Sequence, residues 1–284
     1  NGIEYADMQM IAEVYGLLRD AGGQTAPQIG ALFESWQKGP LSSYLIEVSA
    51  AALQTVDAES GTPMVDLILD KAGQKGTGRW TLIEALKLGQ SASSIEAAVG
   101  ARGWSSEKAL RVAAAPLLPD AVTGGTLPTE DEMKSALLAA RILGHAQGFR
   151  VLSAASDEFG WQLDMARIAE IWRAGCIIRS ALLDDLADAF HAGLPEGALI
   201  LAPAIRDMLG DHLAGLRKTV AAGVSLGVPM PALSASLAWY DSIRTARGSA
   251  NLIQAQRDFF GAHGFERGDI AGAHHGTWNA IRRD

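Results

Sequence analysis

Three polar groups stand together at the start of the chain. In "NGIEYADMQM", Asn1, Glu4 and Tyr5 fall at i, i+3 and i+4. In a helix that spacing aims a carboxamide, a carboxylate and a phenol at one place. A second set lies in "KAGQKGTGRWT", residues 71–81. Gly73, Gly76 and Gly78 leave backbone amides unshielded, Lys75 adds a cation and Thr77 a hydroxyl. Trp80 and Thr81 are expected to start a helix, whose N-terminus favours anions. The segment reads as a small phosphate cradle or as a flexible linker between helices. A third set is "NLIQAQRDFFGAH", residues 251–263. Leu252, Ile253, Phe259 and Phe260 are expected to anchor a helix that Gly261 ends. Arg257 then lies on the helix and His263 just past its end. Taken alone, these two read as a surface arginine and a capping histidine.

The elements that must position these groups are helical. Ile11, Val14, Tyr15 and Leu18 make an apolar stripe at i, i+3, i+4 and i+7. Segments 41–56, 131–155, 163–192 and 232–246 read the same way, and strand-like alternation is scarce. Turn chemistry punctuates the chain at "GGQTAP", "KAGQKGTG", "PDAVTGGTLPTED" and "LGVPMP". Thr129 followed by Glu132 offers a capping box before a long helix. Two landmarks recur in the same order. Trp36-x-x-Gly39 returns as Trp172-x-x-Gly175, and Leu88-Gly89 returns as Leu226-Gly227, shifts of 136 and 138 residues. That period is too long for a solenoid. The expected fold is all-α, built from two similar multi-helix halves. The first half is placed at about 1–112 and the second at about 131–284, with 113–130 as the bridge. The parts expected to superpose are 11–105 and 145–245.

The chain has 284 residues, 48% of them apolar, and a net charge of -8, which allows a sizeable core and argues against a nucleic-acid partner. A local basic site for a small anion remains compatible with that charge. Cys176 is the single cysteine, so no internal disulfide and no cysteine-based zinc spacing can form. Its apolar neighbours in "AGCIIRS" make it read as a buried structural thiol in a reducing compartment. No stretch approaches the ~18 apolar residues of a membrane span, and no signal peptide is visible. The expected location is the cytoplasm. No G-x-G-x-x-G opens a helix after a strand, no P-loop or H-E-x-x-H occurs, and no G-x-S-x-G is expected to mark a nucleophile elbow. His274 and His275 are adjacent and point apart on a helix, so no metal site is expected.

Four segments carry a family resemblance. "NGIEYADMQMI", "GQKGTGRWT", "IWRAGCIIRS" and "ANLIQAQRDFFGAH" occur in the order found in decarboxylating 6-phosphogluconate dehydrogenases, and the likeness runs from Asn1 nearly to Trp278. Members of that family have an N-terminal dinucleotide-binding domain followed by a large helical domain with a duplicated helical unit. The chain resembles the second part, entered at the Asn of the family's K-x-x-H-N-G-I-E-Y motif. The resemblance implies oxidative decarboxylation of 6-phosphogluconate to ribulose 5-phosphate with NADP reduced. NADP is expected to be held mainly by the N-terminal domain, and this chain alone is expected to be inactive. The family's lysine base lies before Asn1. Glu4 matches its acid, which must carry a proton to deliver near neutrality. Asn1 and Tyr5 match substrate-binding positions, and Lys75, Thr77 and Arg102 match phosphate-side contacts. Arg257 and His263 match residues that reach the neighbouring subunit's site in the family homodimer. Ala6 stands where many members have Gly, and a long C-terminal tail is missing after "HHGTWNAIRRD". Two other readings compete. One is a stand-alone helical dimerisation or sugar-phosphate-binding module. The other is a related beta-hydroxyacid dehydrogenase, against which the phosphate-side cations Lys75, Arg102 and Arg257 argue.

Overall fold

Helical periodicity carries through most of the chain. The computed structural model describes residues 1–120 and 122–278. The residues after Trp278 in "HHGTWNAIRRD", and residue 121 of the bridge, lie outside the described residues. Among the described residues the helices are α1 (Gly2–Gly16), α2 (Ala26–Trp36), α3 (Tyr44–Gln54), α4 (Met64–Leu67), α5 (Thr77–Lys87), α6 (Ser93–Ser106), α7 (Lys108–Ala114), α8 (Glu130–Phe159), α9 (Met165–Trp172), α10 (Leu182–Ala192), α11 (Pro203–Leu226), α12 (Pro231–Ile243) and α13 (Ala250–Gly261). A π-helical turn, Leu17–Ala21, extends α1. The only sheet among the described residues pairs β1 (Phe265–Glu266) with β2 (Ala273–His274), antiparallel, with Phe265 opposite His274. The fold is all-α, as the periodicity predicts. No helix among the described residues is long and apolar enough to cross a membrane.

The capping box forms as expected. Glu132 N donates to Thr129 Oγ1 at 3.2 Å, and Thr129 N donates to Glu132 Oε2 at 2.9 Å. It starts the 30-residue α8, which is buried on all sides from residue 136 to 149 and packs along both α1 and α11. A helix buried all round is a central post, not an amphipathic wall.

Three local expectations need correction. The 163–192 segment is not one helix: α9 ends at Trp172, Gly175 takes φ +72, and α10 begins at Leu182. Cys176 sits in that turn and is half-buried, so it is a free thiol at the edge of the fold, not a core residue. The helix after the glycine loop starts at Thr77, ahead of Trp80, because Gly76 in the left-handed region (φ +104) serves as its N-cap.

The chain divides into two compact units, Asn1–Trp239 and Tyr240–Asp284. Within the first, the recurring landmarks mark equivalent places. Trp36 and Trp172 each end a helix, and Gly89 (φ +64) and Gly227 (φ +72) each follow one in the left-handed region. Three long-range contacts join positions about one repeat apart. Arg141 Nε donates to Asp7 Oδ1 at 3.0 Å, Ser94 Oγ lies 2.8 Å from Ser236 Oγ, and Ser43 bridges Ser180. Three more bonds form a reciprocal set. Glu13 of α1 accepts from Ala232 N (2.7 Å) and Leu233 N (2.9 Å) at the start of α12, while Gln147 of α8 accepts from Ser94 N (2.9 Å) at the start of α6. Like-to-like contacts of this kind are what two copies related by an approximate two-fold axis make.

Glu13 gives this core a pH dependence. Burial pushes its carboxyl from 4.5 up to about 7, against the opposing pull of the Leu233, Ala232 and Gln9 donors. The folded state therefore holds a proton that the unfolded chain releases between about pH 4.5 and 7, so this contribution to stability is lost as pH rises through that window. A shift of this size corresponds to about 3 kcal/mol. Urea unfolding at pH 5 and pH 8 should show wild type losing stability relative to Glu13→Gln, which does not titrate. A pH-independent difference between the two proteins would contradict this.

Candidate functional site

Helix α1 presents Glu4 and Tyr5 from its first turn, with Asn1 at its N-cap. Two features seat α1 against α8. At Gly148 of α8 a Cβ would stand 2.4 Å from Ile3 Cδ1, so only glycine permits this approach. Asp7, 4% exposed, pairs with Arg141, 1% exposed, whose NH1 also donates to Leu41 O at 3.1 Å. The first turn of α1 is thus held by packing on one side and by a buried ion pair on the other.

The Tyr5 ring is buried between two elements. A Cβ on Gly78 would lie 2.4 Å from Tyr5 Cδ2, so the first turn of α5 abuts the ring directly. The Arg102 guanidinium from α6 lies 3.6 Å from the ring centroid, a cation–π stack. Arg102 NH1 also donates to Gly73 O at 3.1 Å, and its NH2 lies 3.4 Å from Met8 Sδ. One arginine therefore ties α6, α1 and the glycine loop together. Thr77, half-buried, opens α5, whose first backbone amides have no partner within the helix. Lys75 is exposed on the loop two residues earlier, and Glu4 is half-buried beside Tyr5. Asn1 and Thr77 line one groove of about 560 Å³ with Trp80, Val151 and Trp161. In the first unit Arg102 and the start of α5 thus meet at Tyr5, Asn1 and Thr77 share one groove, and Glu4 stands next to Tyr5 on α1.

Arg257 and His263 belong to the second unit. Arg257 is exposed on α13 and its NH1 donates to Gln254 Oε1 at 2.7 Å. His263 follows the helix, packs edge-on to Phe260 with centroids 5.9 Å apart, and lines a cavity of about 720 Å³ with Gln254, Phe265 and Trp278. Leu252, Ile253 and Phe260 do not anchor α13 in a core as expected; they are 61%, 56% and 70% exposed. The sequence reading also passes over two things. Gly78 matters for what it packs against, and its partner lies far away in sequence. The expectation that no G-x-S-x-G occurs is also wrong: residues 223–227, Gly-Val-Ser-Leu-Gly, spell that nucleophile-elbow pattern, but they close α11 and no strand among the described residues precedes them, so the context the pattern needs is missing. Among the described residues no group of three or more His, Cys, Asp or Glu stands ready to hold a metal ion.

The family model for the 6-phosphogluconate dehydrogenase C-terminal domain matches residues 1–278. The chain belongs to that family. Among its curated relatives, the NADP(+)-dependent decarboxylating 6-phosphogluconate dehydrogenase of Bacillus subtilis is 43% identical over 282 residues, covering 98% of this chain and 60% of the relative. The NAD(+)-dependent enzyme of the same organism is 42% identical over 283 residues, with the same coverage. The Escherichia coli enzyme is 44% identical over 281 residues, again with 98% and 60% covered. A solved Plasmodium falciparum 6-phosphogluconate dehydrogenase, studied in its apo form, with NADP+ and with 6-phosphogluconate, matches with a TM-score of 0.93 at 37% identity over 98% of this chain and 61% of that one. The chain thus spans about 60% of the length of these relatives. Two of these relatives, one named as NAD(+)-dependent and one as NADP(+)-dependent, match almost equally. Among the described residues no strand–glycine turn–helix unit occurs.

Proposed function

We propose that the chain is the substrate-binding and dimerising part of a decarboxylating 6-phosphogluconate dehydrogenase, a cytoplasmic homodimeric enzyme. The full enzyme converts 6-phosphogluconate to ribulose 5-phosphate and carbon dioxide while NADP, bound by a preceding domain, accepts the hydride. The observation that carries this reading is the Arg102–Tyr5–Gly78 stack, which joins the acid-bearing turn of α1 to the N-terminus of α5. A phosphoryl group placed there meets the free amides of α5, the Thr77 hydroxyl, the Tyr5 phenol, the Lys75 ammonium and the remaining N–H groups of Arg102. Arg257 and His263 of the neighbouring subunit complete the anion site. Asn1 holds the other end of the sugar acid. Glu4, one residue from Tyr5, then delivers a proton to C1 of the enediol left after carbon dioxide departs.

The test is direct. Full-length protein given 6-phosphogluconate and NADP should release carbon dioxide and NADPH in equal amounts, while residues 1–284 alone should yield neither. Binding of 6-phosphogluconate without turnover by the full-length protein would favour a sugar-phosphate-binding module instead. Gly78→Ala gives a sharper check. Its Cβ would overlap the Tyr5 ring, and overpacking of this kind costs about 1–3 kcal/mol. The ring must move off Arg102, so KM for 6-phosphogluconate should rise by about tenfold with helical content retained. An unchanged KM would break the link between this stack and the substrate.

A further inference from the structure

Asp258 lies in the last turn of α13 and is 1% exposed, yet it is an acid with four hydrogen-bond donors around it. Its Oδ1 accepts from Gly264 N at 2.9 Å and from His275 Nδ1 at 2.6 Å. Its Oδ2 accepts from Gly276 N at 2.8 Å and from Trp278 Nε1 at 2.7 Å. Only an ionised carboxylate has the acceptors for this set; a carboxamide would set its NH2 against two donors. These donors hold the carboxyl well below its ordinary range. The main-chain carbonyl of the same residue accepts from Ala262 N at 2.9 Å. Ala262 sits at φ +51, a left-handed conformation that a residue with a Cβ keeps only when its surroundings enforce it. His263 is therefore bracketed. The residue before it and the residue after it are both tied to Asp258, and the segment from His275 to Trp278 is drawn over the same carboxylate.

We propose that Asp258 is a positioning residue that fixes His263 for contact with the phosphate of the substrate. The proposal rests on the reading that His263 serves the neighbouring subunit's site. Nothing in these bonds requires a ligand, but they anchor the backbone on both sides of a histidine otherwise exposed on a turn.

The test uses the full-length enzyme and a KM-against-kcat comparison. Asp258→Asn should raise KM for 6-phosphogluconate by about tenfold, leave kcat within about threefold and leave KM for NADP unchanged. The emission of Trp278, identified by comparison with Trp278→Phe, should shift as its bond to the carboxylate is lost. Asp258→Asn combined with His263→Ala should be no worse than His263→Ala alone, because the two act on one contact. If Asp258→Asn does not fold, His275→Ala removes a single donor and should raise KM by about two- to fivefold with kcat kept. Additive KM effects in the double variant, or a shifted Trp278 emission with unchanged KM while His263→Ala does raise it, would overturn the proposal. If His263→Ala itself leaves KM unchanged, the reading of His263 fails first, and that result is separable from any effect at Asp258.

Discussion

Replacing Glu4 by Gln in the full-length enzyme should lower kcat for 6-phosphogluconate by about 10²–10⁴-fold, the usual worth of a positioned proton donor. KM should stay within about threefold, because Gln keeps the shape and hydrogen-bonding length of the side chain. The expectation follows from where the residue stands. Glu4 lies on the turn that Gly148, Ile3 and the Asp7–Arg141 pair seat against α8, so its backbone has little freedom to compensate. It is half-buried next to the clamped Tyr5 ring. Steady-state NADPH formation checks the point. A loss in kcat of less than about threefold would remove Glu4 from the proton-transfer role.

The second large effect concerns stability. Arg141→Met should destabilise the helical part by about 3–5 kcal/mol, the cost of leaving a buried carboxylate without its cation. That is a large share of the roughly 5–15 kcal/mol by which a domain is stable. The loss has two sources: Asp7, 4% exposed, keeps a charge with no partner, and Leu41 O loses its donor. Replacing both partners by apolar residues, Asp7→Leu with Arg141→Met, should recover most of the loss. Urea midpoints followed by far-UV circular dichroism measure both. If the single and double variants unfold at the same midpoint, the buried pair is not what holds α1 to α8.

Much of the scaffold was readable because its signals are local. The Thr129–Glu132 box and the apolar stripe of α1 are short-range patterns, and the structure contains both. The Trp–Gly and Leu–Gly landmarks were readable for a related reason: each marks the end of a helix, where turn chemistry is strict. What escaped depends on distant partners. Gly175 breaks a segment whose periodicity runs on through it. Gly76 starts α5 early by taking φ +104, a conformation that composition alone does not announce. Arg141 looks like any helical arginine until Asp7 is placed beside it. Gly78 looks like loop filler until Tyr5 packs on it. The apolar stripe of α13 reads as a core anchor because sequence shows that a face is apolar, not that this chain covers it. Of the candidate site, Asn1, Glu4, Tyr5, Thr77 and Arg102 lie on or beside α1, α5 and α6, and the family resemblance names them all. Asp258 had no such signal. An acid between an arginine and two phenylalanines reads as solvent-facing, and its four donors lie 6 to 20 residues downstream.

The most direct measurement is phosphate discrimination. In the full-length enzyme, kcat/KM for 6-phosphogluconate is compared with that for gluconate, which lacks the phosphoryl group, in wild type and in Arg102→Ala. Charge-assisted hydrogen bonds to a phosphoryl group contribute about 1.5–3 kcal/mol each. Loss of Arg102 should therefore shrink the preference for the phosphorylated substrate by about ten- to a hundredfold while changing activity on gluconate little. An undiminished preference in Arg102→Ala would contradict the assignment of the α1–α5–α6 junction as the phosphate end of the substrate site.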